Sequence, residues 1–157
     1  MDTEQSSSAL LLSLDMFMEA YHAKMALGND IIQLVALSKA NQWMHNWDLK
    51  TLLLKQEKVI VVTNPSLSIV FASSNLFNMN GYTPEEVSGK TPGLFQGPGT
   101  DANKKAIIKQ AVKDMKPFHV LVVNYKKNGK PYDCEIEGFP VFNAANKLVN
   151  FVAFEKG

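Results

Sequence analysis

Residues 89–101 read Gly-Lys-Thr-Pro-Gly-Leu-Phe-Gln-Gly-Pro-Gly-Thr-Asp. Four glycines and two prolines in this stretch rule out a helix interior or a central strand, so it is a loop. No Gly-Lys-Ser/Thr opens a helix after these glycines, so they do not form a P-loop. Upstream, Val59-Ile60-Val61-Val62 is a β-branched run that ends at Asn64-Pro65, and Ser68–Ala72 makes a second strand within hairpin distance. Two short helices follow. The first covers 74–79. The second opens at Thr83-Pro84-Glu85-Glu86, with Thr83 as N-cap, Pro84 at the first helical position and Glu86 closing a capping box.

Downstream of the loop, residues 101–116 predict a longer helix. Ile108, Ala111, Val112 and Met115 lie on one face and Lys104, Lys105, Lys109, Lys113 and Lys116 largely on the other, and Pro117 ends it. Three strands are expected at 118–126, 131–140 and 148–155. Asn128-Gly129 marks a hairpin between the first two, and residues 143–146 turn between the second and third. Two strands, short helices and three strands give an α+β class: a five-stranded antiparallel sheet with helices on one face. Residues 1–56 form a helical extension before it. Leu10, Leu14, Phe17, Tyr21 and Met25 recur at helical spacing over 9–27, Gly28-Asn29 is a plausible stop, and 31–56 is helical again.

Composition bounds the function. The 157 residues carry a net charge of +1, divided as −3 over 1–57 (four Lys, seven Asp/Glu) and +4 over 58–157 (twelve Lys, eight Asp/Glu). That field is too weak to argue for nucleic acid or an anionic membrane, and the lysine row on 101–116 lacks interleaved aromatics, so it reads as a solvated face. All sixteen basic residues are Lys, so the chain has no planar fork for bidentate phosphate binding. Cys134 is the only cysteine, which excludes an intrachain disulfide. His22, His45 and His119 are too scattered for a recognised metal spacing. The N-terminus lacks a signal peptide's positive segment, and charges follow the apolar run 9–14 too soon for a membrane span, so a cytoplasmic protein is expected.

The element order and the loop together resemble the LOV branch of the PAS superfamily, over about residues 57–157. Val62-Thr63-Asn64-Pro65, Ile69-Val70-Phe71-Ala72-Ser73, Asn80-Gly81-Tyr82-Thr83-Pro84-Glu85-Glu86-Val87 and Asn124-Tyr125-Lys126-Lys127-Asn128-Gly129-Lys130 follow the LOV consensus in order. The resemblance implies a PAS fold and, in photoactive members, an FMN site. There a loop cysteine forms the light-driven adduct, arginines hold the phosphate, and polar side chains read the ring edge. Here Pro92 stands at the cysteine position, Gly93 at the first arginine and Lys109 at the second. Gln96 and Asn124 match the family pattern, Cys134 replaces a strand asparagine, Glu155 replaces the last-strand glutamine, and Thr91 replaces the asparagine beside the cysteine.

These five positions — Gln96, Asn124, Lys109, Cys134 and Glu155 — are the candidate cavity residues. A carboxylate at Glu155 would repel a flavin carbonyl unless protonated. No cofactor is therefore expected, with residual FMN as the secondary reading, and cysteinyl-adduct photochemistry is not expected. Bland readings stand beside each site: Gln96 and Asn124 could be satisfied by backbone, Glu155 could reach solvent, and Cys134 could be a small core residue. Gly138 could widen the cavity, or neighbouring Phe and Met could fill it. Residues 101–116 hold no histidine for haem, and no acid–base or nucleophile–base pair can be placed, so an enzyme is not expected.

If Asn124 and Glu155 face inward, strand alternation puts Leu121, Val123, Tyr125, Val152 and Phe154 on the outer sheet face, with Asp133, Glu135 and Glu137. That face needs a cover, and the N-terminal helices carry apolar stripes to supply it from the same chain or a second copy. The expected function is a stand-alone PAS sensory or signalling module acting through a partner protein or by homodimerisation through these helices and this face. The alternative is a small-molecule sensor with a non-flavin ligand in the cavity.

Overall fold

The computed structural model describes residues 2–157; Met1, the first residue of the expected extension, lies outside them. Helix α1 (Asp2–Ala40) leads into a π-helical turn (Thr51–Lys55) and strands β1 (Val59–Thr63) and β2 (Ile69–Ala72). Short helices α2 (Leu76–Asn80) and α3 (Pro84–Val87) follow, then a 3-10 turn (Pro92–Phe95) and helix α4 (Ala102–Lys113). Strands β3 (Phe118–Tyr125), β4 (Pro131–Phe142) and β5 (Leu148–Lys156) complete the chain. The five strands form one antiparallel sheet in the order β2-β1-β5-β4-β3, so the first and last strands in sequence, β1 and β5, are central neighbours.

The local signals act where the sequence places them. Thr83 Oγ1 accepts from the Glu86 N–H, with Pro84 at the first turn of α3. Asp101, the last residue of the loop, accepts from the N–H groups of Asn103 and Lys104 and starts α4. At the β3–β4 turn Gly129 takes φ +87°, which only glycine adopts without strain.

The extension differs from expectation. A single 39-residue helix replaces two, and it runs through Gly28. A mid-helix glycine costs only about 1 kcal/mol relative to alanine, and contacts beyond Gly28 outweigh it. Asp30 is buried and accepts from both the N–H (2.7 Å) and the hydroxyl (3.0 Å) of Ser74. Leu34 is fully buried in a cluster with Ile60, Val62, Phe71, Val152 and Phe154. The helix stops later, where Gln42 turns to φ +54° and the Trp43 N–H bonds the Ser38 carbonyl at 2.9 Å. Residues 41–50 are largely irregular, where helix had been expected.

This segment covers the outer face of β1, β5 and the end of β4 within the chain, while Leu121 on β3 stays exposed. Trp47 meets Phe154 edge-on with ring centroids 5.2 Å apart and Phe139 at 5.6 Å. Trp43 donates its indole N–H to Asn150 (2.8 Å), whose amide bonds the Thr63 carbonyl (3.0 Å). Val152 and Phe154 do face outward as expected, under Leu34 and Trp47. The apolar stripe at 10–25 does not supply the cover: Leu10, Leu14, Phe17, Tyr21 and Met25 are each about half exposed or more.

Leu34→Ala should cost about 2–5 kcal/mol, the range for truncating a fully buried leucine. Denaturant unfolding reads it; a loss below about 1 kcal/mol would mean that α1 does not cap the sheet.

Candidate functional site

The inner sheet face and α4 enclose a cavity of about 530 Å³. Val61 on β1, Phe151 on β5, Ile136 on β4, Phe118 on β3 and Ile108 on α4 supply apolar walls, and the 3-10 turn adds Phe95. The loop is held against β3 by its glycines. A Cβ on Gly97 would stand 2.4 Å from the Tyr125 ring, and one on Gly99 2.6 Å from its hydroxyl. The Gly99 N–H instead donates to the Tyr125 oxygen (2.7 Å), while Thr100 Oγ1 donates to the Val123 carbonyl (2.6 Å). Tyr125 thus uses its outward position to grip the loop that closes the cavity.

Four of the five candidate positions border the cavity: Gln96 from the loop, Asn124 from β3, Lys109 from α4 and Glu155 from β5. Asn124 and Glu155 are buried, whereas Lys109 is exposed. Cys134 is the exception. It packs behind the wall with Val120 and Val122, against Met79 from α2. Its register partner is Val122, two rows of the sheet beyond the row that carries Glu155 and Ile136. Burial, with Glu155 beside it, pushes its thiol far above the ordinary cysteine range. Pro92 and Gly93 line the cavity where the resemblance places the thiol and the first phosphate ligand, and neither has a side chain that could do that work.

At two positions the structure selects one of the alternatives left open. Glu155 does not reach solvent; it is 4% exposed. Gly138 does not enlarge the cavity, because the Phe118 ring fills the space over it, within 2.3 Å of where a Cβ would stand.

The chemistry of the donor set is unusual at two points. Thr63 Oγ1 is buried without a hydrogen-bond partner among the described residues. Glu155 Oε2 has the Cys134 thiol at 3.9 Å, a weak donor. Burial therefore raises the Glu155 carboxyl to about 7, with the thiol contact pulling slightly the other way. Tyr132 also approaches Glu155 and Asn124, and burial raises its phenol. Glu155 also borders a recess rimmed by Lys24, Glu57, Lys126 and Lys156, with no ion pair to any of them among the described residues. Sequence reasoning did not single out Thr63, whose only signal is a polar residue at an inward position of an otherwise apolar strand.

On the outer face, His119, Glu135 and Glu137 come together, which their spacing did not suggest. The Lys58 ammonium already lies 3.7 Å from Glu135 and 3.4 Å from Glu137, so an internal cation meets these carboxylates.

A family model described as PAS domain matches residues 57–156. The chain is similar to Phototropin-2 of Oryza sativa subsp. japonica, with 34% identity over 111 residues, 69% of this chain and 12% of that one. It is similar to Protein TWIN LOV 1 of Arabidopsis thaliana, with 37% identity over 98 residues, 60% of this chain and 25% of that one. It is also similar to a blue-light-activated histidine kinase of Brucella ovis, with 36% identity over 97 residues, 60% of this chain and 20% of that one. The chain thus spans a quarter or less of the length of these curated relatives. Among solved structures it resembles the dark structure of the blue-light photoreceptor Aureochrome1 LOV (TM-score 0.64, 23% identity, 71% of this chain and 83% of that one). It likewise resembles the PAS domain from the fruit-fly ELK potassium channel (TM-score 0.61, 24% identity, 71% and 97%). At these identities the structural likeness shows the fold.

Glu155 should leave a signature in stability. Its ordinary value is 4.5, so between about pH 4.5 and 7 the folded protein holds a proton that the unfolded chain has released. Below that window the contribution is fully present. It is lost as pH rises through about 7, by about 3 kcal/mol in total. Glu155→Gln should flatten this part of the profile in denaturant titrations from pH 5 to 8; parallel profiles for the two proteins would contradict the assignment.

Proposed function

The chain belongs to the PAS domain family, and we propose that it is a sensory or signalling module whose output is protein–protein contact through α1, not a cysteinyl-flavin photoreceptor. The observation that carries this reading is the exposed apolar surface of α1. Leu11, Leu14, Met18, Tyr21, Met25, Ile32 and Val35 are 37–67% exposed and recur at alternating steps of three and four residues, with Gly28 in the one remaining place of the pattern. That is a heptad seam, which suits a second copy of the same helix. We assign homodimerisation to it. The outer face of β1 and β5 is already occupied within the chain, so we assign the contact to the helix.

Coupling from the cavity to the helix has a short route. β1 presents Val61 to the cavity and Val62 to the cluster under Leu34. A ligand or partner that binds two packings of this strand unequally would shift the helix between them.

The photochemical chemistry is disfavoured by the residues themselves. The only thiol is not a cavity wall, and the position opposite a ring carbonyl would hold Glu155. FMN fits this donor set poorly: Glu155 could donate to a ring carbonyl only while it holds its proton, and no guanidinium stands at the phosphate end. A second reading, a small-molecule sensor with a non-flavin ligand, is favoured by the unpartnered Thr63 hydroxyl and the volume of the cavity.

Among the described residues, no helix is long and apolar enough to cross a membrane. The proposed setting is the cytoplasm, with no nucleic-acid partner.

Light scattering after size exclusion should give twice the mass of one chain, and Leu14→Glu with Met18→Glu should give the single-chain mass with an unchanged circular dichroism spectrum. A wild-type monomer would remove the dimer reading. The purified protein should have no flavin absorption in the visible; a flavin spectrum that bleaches under blue light would overturn the negative part of the proposal.

A further inference from the structure

We infer that the cavity takes a ring-bearing amphoteric molecule, with a basic amine turned toward Glu155 and an acidic group turned toward Lys105 and Lys109. This rests on the small-molecule reading above and names the ligand's class.

Glu155 is 4% exposed, borders the cavity and has only a thiol 3.9 Å away as hydrogen-bond partner. A buried carboxylate needs either a proton or a cation and donors. Among the described residues no lysine pairs with it. A ligand amine would supply the missing cation and donors together. Against the ionised carboxylate a ligand carbonyl would only add a second acceptor, whereas an ammonium supplies both charge and donors.

Lys105 and Lys109 line the same cavity from α4, one helical turn apart, and both are exposed. Neither has a carboxylate partner among the described ion pairs. Ammonium groups on flexible stems suit a carboxylate or phosphate as point charges, without the bidentate geometry of arginine. The cavity is therefore acidic at a buried position and basic at its exposed wall, with aromatic and aliphatic surface between. Phe95, Phe118 and Phe151 favour a ring in that middle section.

Length is bounded as well. Val59 pairs with Glu155 and Thr63 with Phe151, so the polar positions Glu155 and Thr63 stand at opposite ends of β1. Four residues of strand separate them by about 13 Å. The unpartnered Thr63 hydroxyl offers a further hydrogen bond at that far end. A single ring with a polar substituent at each end fits a cavity of this length.

Three matched probes test the inference on the full chain by calorimetry at pH 7: para-(aminomethyl)phenylacetate, para-tolylacetate without the amine, and para-methylbenzylamine without the carboxylate. The dual probe should bind about tenfold tighter than either single one, as expected for a charge-assisted hydrogen bond. Glu155→Gln should erase the advantage of the amine while retaining that of the carboxylate. Lys105→Gln with Lys109→Gln should do the reverse; these are exposed positions that leave folding intact, so the test does not depend on the core variant. Equal binding of the three probes to the wild-type chain would overturn the amphoteric class and leave a ligand sensor standing. No binding of any probe, with native mass spectrometry of freshly purified protein giving only the mass of the chain, would overturn the small-molecule reading as well.

Discussion

Strand β1 is buried at all five positions, and this sets a demand on the rest of the chain. Alternation sends Val59, Val61 and Thr63 to one face of the sheet and Ile60 and Val62 to the other. Both faces are apolar, so both must be covered. The inner cover is the set of short helices and α4, which leave a cavity; the outer cover is the second half of α1 with Trp43, Trp47 and Leu53. Because β1 pairs with β5, the two covers are separated by one layer of strands, and a change in packing on one side is felt on the other.

The same layering explains how the sensory parts relate. Asp30 ties α1 to the start of α2 through Ser74, and Leu34 ties it to the sheet. Beyond these anchors toward the N-terminus, residues 3–25 have no cover within the chain. The helix thus has a half anchored to the sheet and a half whose apolar side chains are exposed. On the inner side, Glu155 and Thr63 are polar groups held in an apolar cavity without partners of matching strength. Such groups cost stability unless something binds them.

Much of the fold was legible in the residues. The Asn64-Pro65 turn, the Thr83–Glu86 capping box, the helix after the loop and the three closing strands act through neighbours close in sequence, and they appear within a few residues of where they were expected. The inward direction of Asn124 and Glu155 entered only as a condition, because alternation fixes which residues share a face but register decides which face it is. The long helix was not legible. Gly28-Asn29 carries a real stop signal, about 1 kcal/mol in size, that the contacts of Asp30 and Leu34 override. The roles of Trp43 and Trp47 were hidden too, since their partners Asn150, Phe139 and Phe154 lie about a hundred residues away.

Local chemistry in the chain thus decided the strands, the caps, the loop at 89–101 and the loss of the thiol and guanidinium groups that a flavin photoreceptor of this family uses. These follow from side-chain identity and from interactions across a few residues, which sequence spacing records directly. Tertiary packing alone decided that α1 continues past its glycine, that its second half rather than its first covers the sheet, and that Cys134 lies behind the cavity wall. It also decided that Glu155 is buried, with the Cys134 thiol as its side-chain hydrogen-bond partner among the described residues. Each of these depends on which distant side chains fill the space around a residue, and burial and desolvation are properties of that filled space, not of the residue.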